Sequence, residues 1–316
     1  MKPLIVIAGA TATGKSDLAL DLAKKLDTQI ISADSMQVYK YMDIGTAKID
    51  LETRKKIAHY MIDEVEPDEN FSVADYKMKT EYYLKKIYDL GKIPILCGGT
   101  GFYINAVLKN IDFVAAEKNL DLKKKLLAMD IKSLREKLFE IDKNAFDLIE
   151  KNNKNNRRKI IRAIEFFYET GKKISEHNER EKEKKYVYDV VFVVLNLKRE
   201  GLYEKINLRT EKMIEMGLVD EVKNLFVKYK KDLPSMQGIG YKEIILYLEG
   251  KMNLAEAVDL IKKNTRHYAK RQITWFKHQA NGIWVDKNDF KNNSELVDYV
   301  LNMCREKFAG YKNFWQ

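Results

Sequence analysis

The segment Gly9-Ala10-Thr11-Ala12-Thr13-Gly14-Lys15-Ser16 fits the pattern G-x-x-x-x-G-K-[ST], in which a glycine-bounded loop wraps its backbone N–H groups around an anion. Lys15 adds a point charge, and the Ser16 hydroxyl can reach a Mg²⁺ ion. The flanking residues make the pattern informative. Leu4-Ile5-Val6-Ile7-Ala8 is an apolar run of strand length, and Leu18, Leu22 and Leu26 recur at helical spacing within Asp17–Leu26. Strand, glycine loop and helix in that order build a phosphate cradle. The chain is therefore expected to bind a phosphorylated ligand.

Two more segments bring chemistry to the ends of apolar runs. Gln29–Ser32 reads as a strand ending at Asp34-Ser35-Met36-Gln37, and Ile93-Pro94-Ile95-Leu96-Cys97 as another ending at Gly98-Gly99-Thr100-Gly101. Ligands of open parallel sheets sit beyond the carboxyl ends of the strands, so a carboxylate, an amide and a hydroxyl converge beside the phosphate loop. Asp34 is open to three roles: a turn residue, a Mg²⁺ ligand, or a base. Arg209 stands within an apolar stripe of Leu202, Ile206, Met213 and Met216. A guanidinium there is either paired internally or placed at a site, where it can bind phosphate or stabilise a departing anion.

Charge adds a polyanionic partner. Lys and Arg number 57 against 47 Asp and Glu, for a net +10 over 316 residues. The window 118–185 carries 20 Lys or Arg against 13 Asp or Glu, a net +7, and includes Arg157-Arg158-Lys159 and Arg162 followed by Phe166, Phe167 and Tyr168. Near the C-terminus, Lys263, Arg266, Lys270 and Lys277 fall on one helical face with His267 and Arg271 alongside, and no acidic residue intervenes between Asp259 and Asp286. Tyr268, Trp275 and Phe276 interleave with that stretch and read first as core. Two acid-poor basic patches favour nucleic-acid phosphates.

The elements that must position these groups follow from the same pattern. The first ~110 residues alternate strands and helices, which implies a parallel sheet with helices on both faces. Ser72 and Asp75 form a capping-box start to a helix running toward Leu90, with Gly91 as its stop signal. Strands then vanish until Asp189–Leu195, and Lys151–Asn156 is a polar joint within the helical stretch. The expected architecture is an α/β, P-loop-type core formed by 1–115 and 187–316, with an inserted all-helical domain at 116–186 that contacts RNA. Two cysteines, Cys97 and Cys304, make neither a disulfide framework nor a zinc cluster, and no stretch has the length of a membrane span. A cytoplasmic protein without a signal peptide and without membrane attachment is expected.

Together these residues resemble the tRNA dimethylallyltransferase (tRNA isopentenyltransferase) family from the first strand to about Trp284. The resemblance rests on residues 9–16, Asp-Ser-Met-Gln-Val-Tyr (34–39), Met-Asp-Ile-Gly-Thr-Ala-Lys (42–48) and Phe-Ser-Val-Ala-Asp-Tyr (71–76). It continues through Gly-Gly-Thr-Gly-Phe-Tyr (98–103), Arg-Ala-Ile-Glu (162–165), Gln-Gly-Ile-Gly-Tyr-Lys-Glu (237–243) and Ala-Lys-Arg-Gln-Ile-Thr-Trp-Phe (269–276). It implies transfer of a dimethylallyl group from dimethylallyl diphosphate to N6 of the adenosine immediately 3′ of the anticodon. On that resemblance Asp34 is the base, Thr100 donates to the bridging oxygen of the diphosphate, and Arg209 steadies the leaving group. Gly14, Lys15 and Ser16 cradle diphosphate and Mg²⁺. The segments implied to contact the tRNA anticodon stem-loop are Asp34 to Gln37 with Thr100, Arg158-Lys159-Ile160-Ile161-Arg162, and Gln237-Gly238-Ile239-Gly240-Tyr241-Lys242; Lys270 and Arg271 join them from the basic helix. A monomer is expected.

Departures from the family pattern are few: Ala10 for a frequent Pro, Ala58 and Tyr60 around His59, and Lys159 where Arg is usual. No Cys/His module follows Trp284. Three rival activities fit parts of the pattern: a P-loop kinase acting on a small molecule, a nucleotide-gated RNA-binding protein without catalysis, and prenyl transfer to free AMP or ADP, against which the two basic patches argue.

Overall fold

Alternate residues of the first strand feed two separate cores. In this computed structural model, which describes residues 1–113, 119–153 and 155–311, β1 (Pro3–Gly9) is buried along its whole length. Leu4, Val6 and Ala8 enter one core and Ile5 and Ile7 the other, the two-residue period of a strand covered on both faces. The chain then runs through α1 (Lys15–Lys25), β2 (Ile30–Ser32), α2 (Leu51–Lys56), β3 (His59–Tyr60), α3 (Val73–Asp89), β4 (Ile95–Gly98) and α4 (Gly101–Leu108). After a helical stretch it returns through β5 (Asp189–Asn196). All six strands pair in parallel in the order β3-β2-β4-β1-β5-β6, the last being Ile283–Asp286. β1 has β4 on one side and β5 on the other, so the loop after β1 opens where the strand order reverses.

The chain folds as two compact units, Met1–Leu108 with Tyr186–Gln316, and Lys109–Lys185. The second unit begins ahead of the expected 115/116 boundary, which lies outside the described residues, as does Lys154 of the polar joint. Its helices are α5 (Leu120–Ala128), α6 (Ile131–Ile141), α7 (Lys143–Asn153), α8 (Arg157–Thr170) and α9 (Ile174–Glu183). They close over Leu134, Leu138, Ile160 and Ile164. The first unit continues with α10 (Arg199–Glu215), α11 (Leu218–Lys228), α12 (Tyr241–Leu248), α13 (Leu254–Gln279) and α14 (Asn293–Lys307). One face of its sheet packs on α3, α4 and α11 to α13, the other on α1 and α14.

The helix start at Ser72 is as expected: Ser72 and Asp75 form a reciprocal capping box and α3 ends just before Gly91. Two strands differ from expectation by being present at all. β3 is two residues long, and β6 leaves Ile283 and Trp284 partly exposed at the sheet edge, so neither has the uniform apolar run of a central strand.

Asp142 illustrates how a buried carboxylate holds the helical unit together. It is 1% exposed, and it accepts from the Ala145 N–H at 3.0 Å, the Ser175 N–H at 3.0 Å and the Ser175 hydroxyl at 2.7 Å. It thereby ties the α6–α7 junction to the first turn of α9. Asp142→Ala leaves these donors without their acceptor and should cost about 2–4 kcal/mol of stability. Urea unfolding measures this, and an unchanged midpoint would contradict it.

Candidate active site

The phosphate loop is shaped by what its first glycine must avoid. Gly9 has φ +152°, and a Cβ there would lie 2.5 Å from the Leu195 carbonyl oxygen. Only glycine lets the chain turn this close to β5. Thr13 is buried and donates its hydroxyl to the Ala10 carbonyl at 2.9 Å, and the Lys15 ammonium folds back onto the same carbonyl at 3.2 Å. Ser16 is exposed in the first turn of α1.

Three charged groups meet at this loop. Burial pulls the Lys15 ammonium below its ordinary pKa; neighbouring Arg209 acts in the same direction, and Asp34 opposes it. Burial likewise lowers Arg209, against the stabilising fields of Asp34 and Asp17. Among the described residues no carboxylate lies within ion-pair distance of Arg209. Its guanidinium instead donates to the Thr11 hydroxyl at 3.3 Å, so the internal salt bridge is not what this residue makes. Of its sequence stripe, Leu202 and Ile206 are buried and Met213 is partly so, whereas Met216 is 58% exposed at the helix end.

The strand ends bring the remaining groups together. The Thr100 N–H donates to the Ala33 carbonyl at 3.0 Å, and its side-chain oxygen accepts from the Ser35 N–H at 3.1 Å. Asp34 accepts from the Met36 N–H at 2.9 Å, a local turn that also sets the carboxylate. A cavity of about 350 Å³ opens here, with Thr11, Asp34, Arg209, Tyr268 and Arg271 in its wall. Met36, Ile206, Met213, Ile239 and Ile261 supply apolar surface. This is the size and mixed character of a small-molecule site. Gly14, Lys15, Ser16 and Thr100 are not among its lining residues.

Every residue of the 237–242 segment borders the cavity, Gly240 and Tyr241 included, but they differ in burial. Gly240 has φ +97° and donates its N–H to Glu243, which is fully buried. Tyr241, expected to contact RNA, is also fully buried; its hydroxyl donates to Glu221 at 2.7 Å. The α8 segment divides similarly. Arg158, Lys159 and Arg162 are exposed, but Ile160 and Ile161 are core residues of the helical unit, so those two side chains hold the helix instead of meeting RNA. Arg157 is consumed by the carbonyls of Leu126, Leu127 and Met129 at the end of α5. On α13, Lys270 and Arg271 are both exposed. Gln37 braces the site from behind, accepting from the Ser32 hydroxyl at 2.8 Å and donating to the Thr46 carbonyl at 3.2 Å.

Three contributors were not singled out by sequence. Glu221 accepts from the N–H groups of Asp43, Ile44 and Gly45 at 2.9, 2.7 and 3.1 Å as well as from Tyr241. One carboxylate thus joins the 42–48 motif to the 237–243 motif, and nothing in its local sequence marks it. Tyr268, read as core, faces the cavity, and burial raises its hydroxyl to about 12; it stays protonated as a hydrogen-bonding group at neutral pH. Gln272 sits on the buried stripe with Ala269 and Phe276. Their helical spacing could have flagged an amide that needs partners.

A phosphate loop at the carboxyl edge of a parallel sheet, a carboxylate beside it and a cavity rimmed by cations define an enzyme-like site for an anionic substrate. Residues 37–279 match the IPP transferase family model. The chain belongs to that family. It is 46% identical over 311 residues to a tRNA dimethylallyltransferase of Lachnoclostridium phytofermentans, spanning 97% of this chain and 99% of that one. Its fold is similar to the tRNA delta(2)-isopentenylpyrophosphate transferase of Staphylococcus epidermidis, at TM-score 0.72, 39% identity and coverage of 97% and 100% of the two chains. It is also similar to a eukaryotic dimethylallyltransferase acting on tRNA, at TM-score 0.83 and 29% identity, over 98% of this chain and 80% of that one.

Glu221 gives the site a direct test. Glu221→Ala strands three backbone N–H groups and a buried tyrosine hydroxyl, and should cost about 2–4 kcal/mol. Glu221→Gln, which keeps an acceptor oxygen, should recover part of that loss. Thermal and urea unfolding of the two variants decide it; equal loss in both would contradict the acceptor role.

Proposed function

We propose that this chain transfers the dimethylallyl group of dimethylallyl diphosphate to N6 of the adenosine immediately 3′ of the anticodon in tRNA, releasing diphosphate. The observation that carries this reading is the meeting of Asp34, Arg209 and the Thr11 edge of the phosphate loop on one cavity with apolar surface for a prenyl group. An allylic C–O bond breaks readily once the departing diphosphate is neutralised. In this reading Lys15, Arg209 and the loop amides do this, with Thr100 donating to the bridging oxygen. The adenine N6 lone pair is delocalised into the ring, so this amine is a poor nucleophile. Asp34 takes its proton as the new C–N bond forms, and the electron pair of the broken C–O bond leaves with diphosphate.

The base must leave its stacked loop to enter the cavity, and Tyr268, Arg271 and the 237–239 segment are the wall it would meet. Exposed Arg158, Lys159 and Arg162 on the helical unit, with Lys270 on α13, supply cations for the RNA backbone.

The residues fit Mg²⁺ in the manner of a substrate-borne ion. Ser16 heads α1 with an exposed hydroxyl, and among the described residues no three His, Cys, Asp or Glu side chains gather as an all-protein site. Ser16 would hold the ion together with diphosphate oxygens and water. Bound there, Mg²⁺ would neutralise charge on the leaving group.

Incubation with unmodified tRNA, Mg²⁺ and dimethylallyl diphosphate, followed by nucleoside mass analysis, tests the reading. One N6-dimethylallyl adenosine per tRNA is expected; an unmodified nucleoside pool overturns it. Lys15→Ala should weaken the hold on the diphosphate substrate by about 1.5–3 kcal/mol, the loss of one charge-assisted contact. Steady-state kinetics in that substrate measure it, and an unchanged KM contradicts it. Asp34→Asn should lower the single-turnover rate by about two to four orders of magnitude while sparing tRNA affinity. Recovery of that rate at high Mg²⁺ would assign Asp34 to the metal instead of the proton.

A further inference from the structure

Gln272 spans the two strand ends that carry the leaving-group machinery. It projects from α13 and is 6% exposed. Its side-chain oxygen accepts from the Thr11 N–H at 2.9 Å, and its side-chain nitrogen donates to the Gly99 carbonyl at 2.9 Å. Within the sheet, β1 and β4 are held in register up to Ala8 opposite Gly98. Beyond that pair the strands part, one into the phosphate loop and the other into the Gly99-Thr100 turn. A primary amide offers the same donor and acceptor as a peptide group. Gln272 therefore adds one more rung to the ladder, across a gap that backbone no longer closes.

Gly99 makes the rung possible. A Cβ at this position would lie 2.2 Å from the Gln272 nitrogen, closer than any side chain could be tolerated. The residues tied together have reacting neighbours. Thr11 meets Arg209 through its hydroxyl, and Thr100 directly follows Gly99. The phosphate loop follows β1 and the Thr100 turn follows β4, while Arg209 comes from α10 onto the Thr11 hydroxyl. In the proposed reaction the spacing of Thr100 from the phosphate-loop donors therefore depends on how far apart the two loops stand. A misplacement of about 1 Å in such spacing can cost on the order of 100-fold in rate.

We infer that Gln272 is a positioning residue that fixes the distance between the phosphate loop and the Thr100 turn, and so aligns the donors to the departing diphosphate. The inference rests on the prenyl transfer proposed above. Tyr268, one turn earlier on the same helix, packs against this brace, its hydroxyl interacting with both Thr100 and Gln272.

A double-mutant cycle between Gln272→Met and Thr100→Ala tests it by single-turnover transfer, with tRNA affinity and thermal unfolding followed in parallel. Methionine removes both hydrogen bonds at nearly unchanged volume. Gln272→Met alone should slow transfer about 10- to 100-fold, with tRNA affinity unchanged, and should add less than about threefold in the Thr100→Ala background, because the two act through one group. Gly99→Ala, which displaces the amide from the opposite side, should reproduce the slowing and serves if Gln272→Met does not fold. A slowing fully additive with Thr100→Ala, or a normal rate in Gln272→Met or Gly99→Ala, overturns the inference. An inactive wild-type protein would overturn the transfer reaction itself, and the inference with it.

Discussion

Two partly buried cations at the carboxyl end of one strand set the terms for the rest of this structure. Lys15 and Arg209 face the same loop, each loses hydration there, and the charge of Arg209 adds to the pull on Lys15. Loop amides and the amino end of α1 add to the same positive potential. Asp34 offsets only part of it, and Arg209 is bonded to a neutral hydroxyl. A polyanion relieves this crowding, which is the physical basis of the proposed diphosphate binding. In the proposed transfer the same arrangement would neutralise the charge that grows on diphosphate as the allylic bond breaks.

Such a site needs its loops held still without a continuous sheet to hold them. The molecule does this with side-chain hydrogen-bonding groups that stand in for backbone partners. Glu221 collects three consecutive N–H groups of the 43–45 turn, Glu243 takes the Gly240 N–H, and Gln272 joins Thr11 to Gly99. Asp142 does the same work inside the helical unit. The loops that border the cavity are therefore fixed from behind by residues that need not touch a substrate.

Legibility in the sequence tracked how local each signal was. The phosphate loop, the central strands and the Ser72–Asp75 cap are set by contiguous residues, and each lies within a residue or two of its expected place. The short β3 and the half-exposed edge strand β6 carry no apolar run, so their pairing depends on strands distant in sequence. Within the site, Asp34 and Arg209 were visible because a strand end and an apolar stripe made them conspicuous. Glu221 was invisible: its partners are 176 to 178 positions away, and an acidic residue on an amphipathic helix ordinarily signals a solvated face. Ile160 and Ile161 show the opposite case: consecutive motif residues do not all share one face of a helix, and these two fall on the side packed into the helical unit's core.

In the proposed transfer one cleft holds the departing anion while a carboxylate beside it prepares the attacking amine, so neither event should run without the other. Release of labelled diphosphate from dimethylallyl diphosphate, measured against prenylated adenosine with tRNA present and absent, tests this most directly. Equal amounts of the two products, and release that depends on tRNA, are expected. Diphosphate release without tRNA, or release in excess of prenylated adenosine, would contradict it.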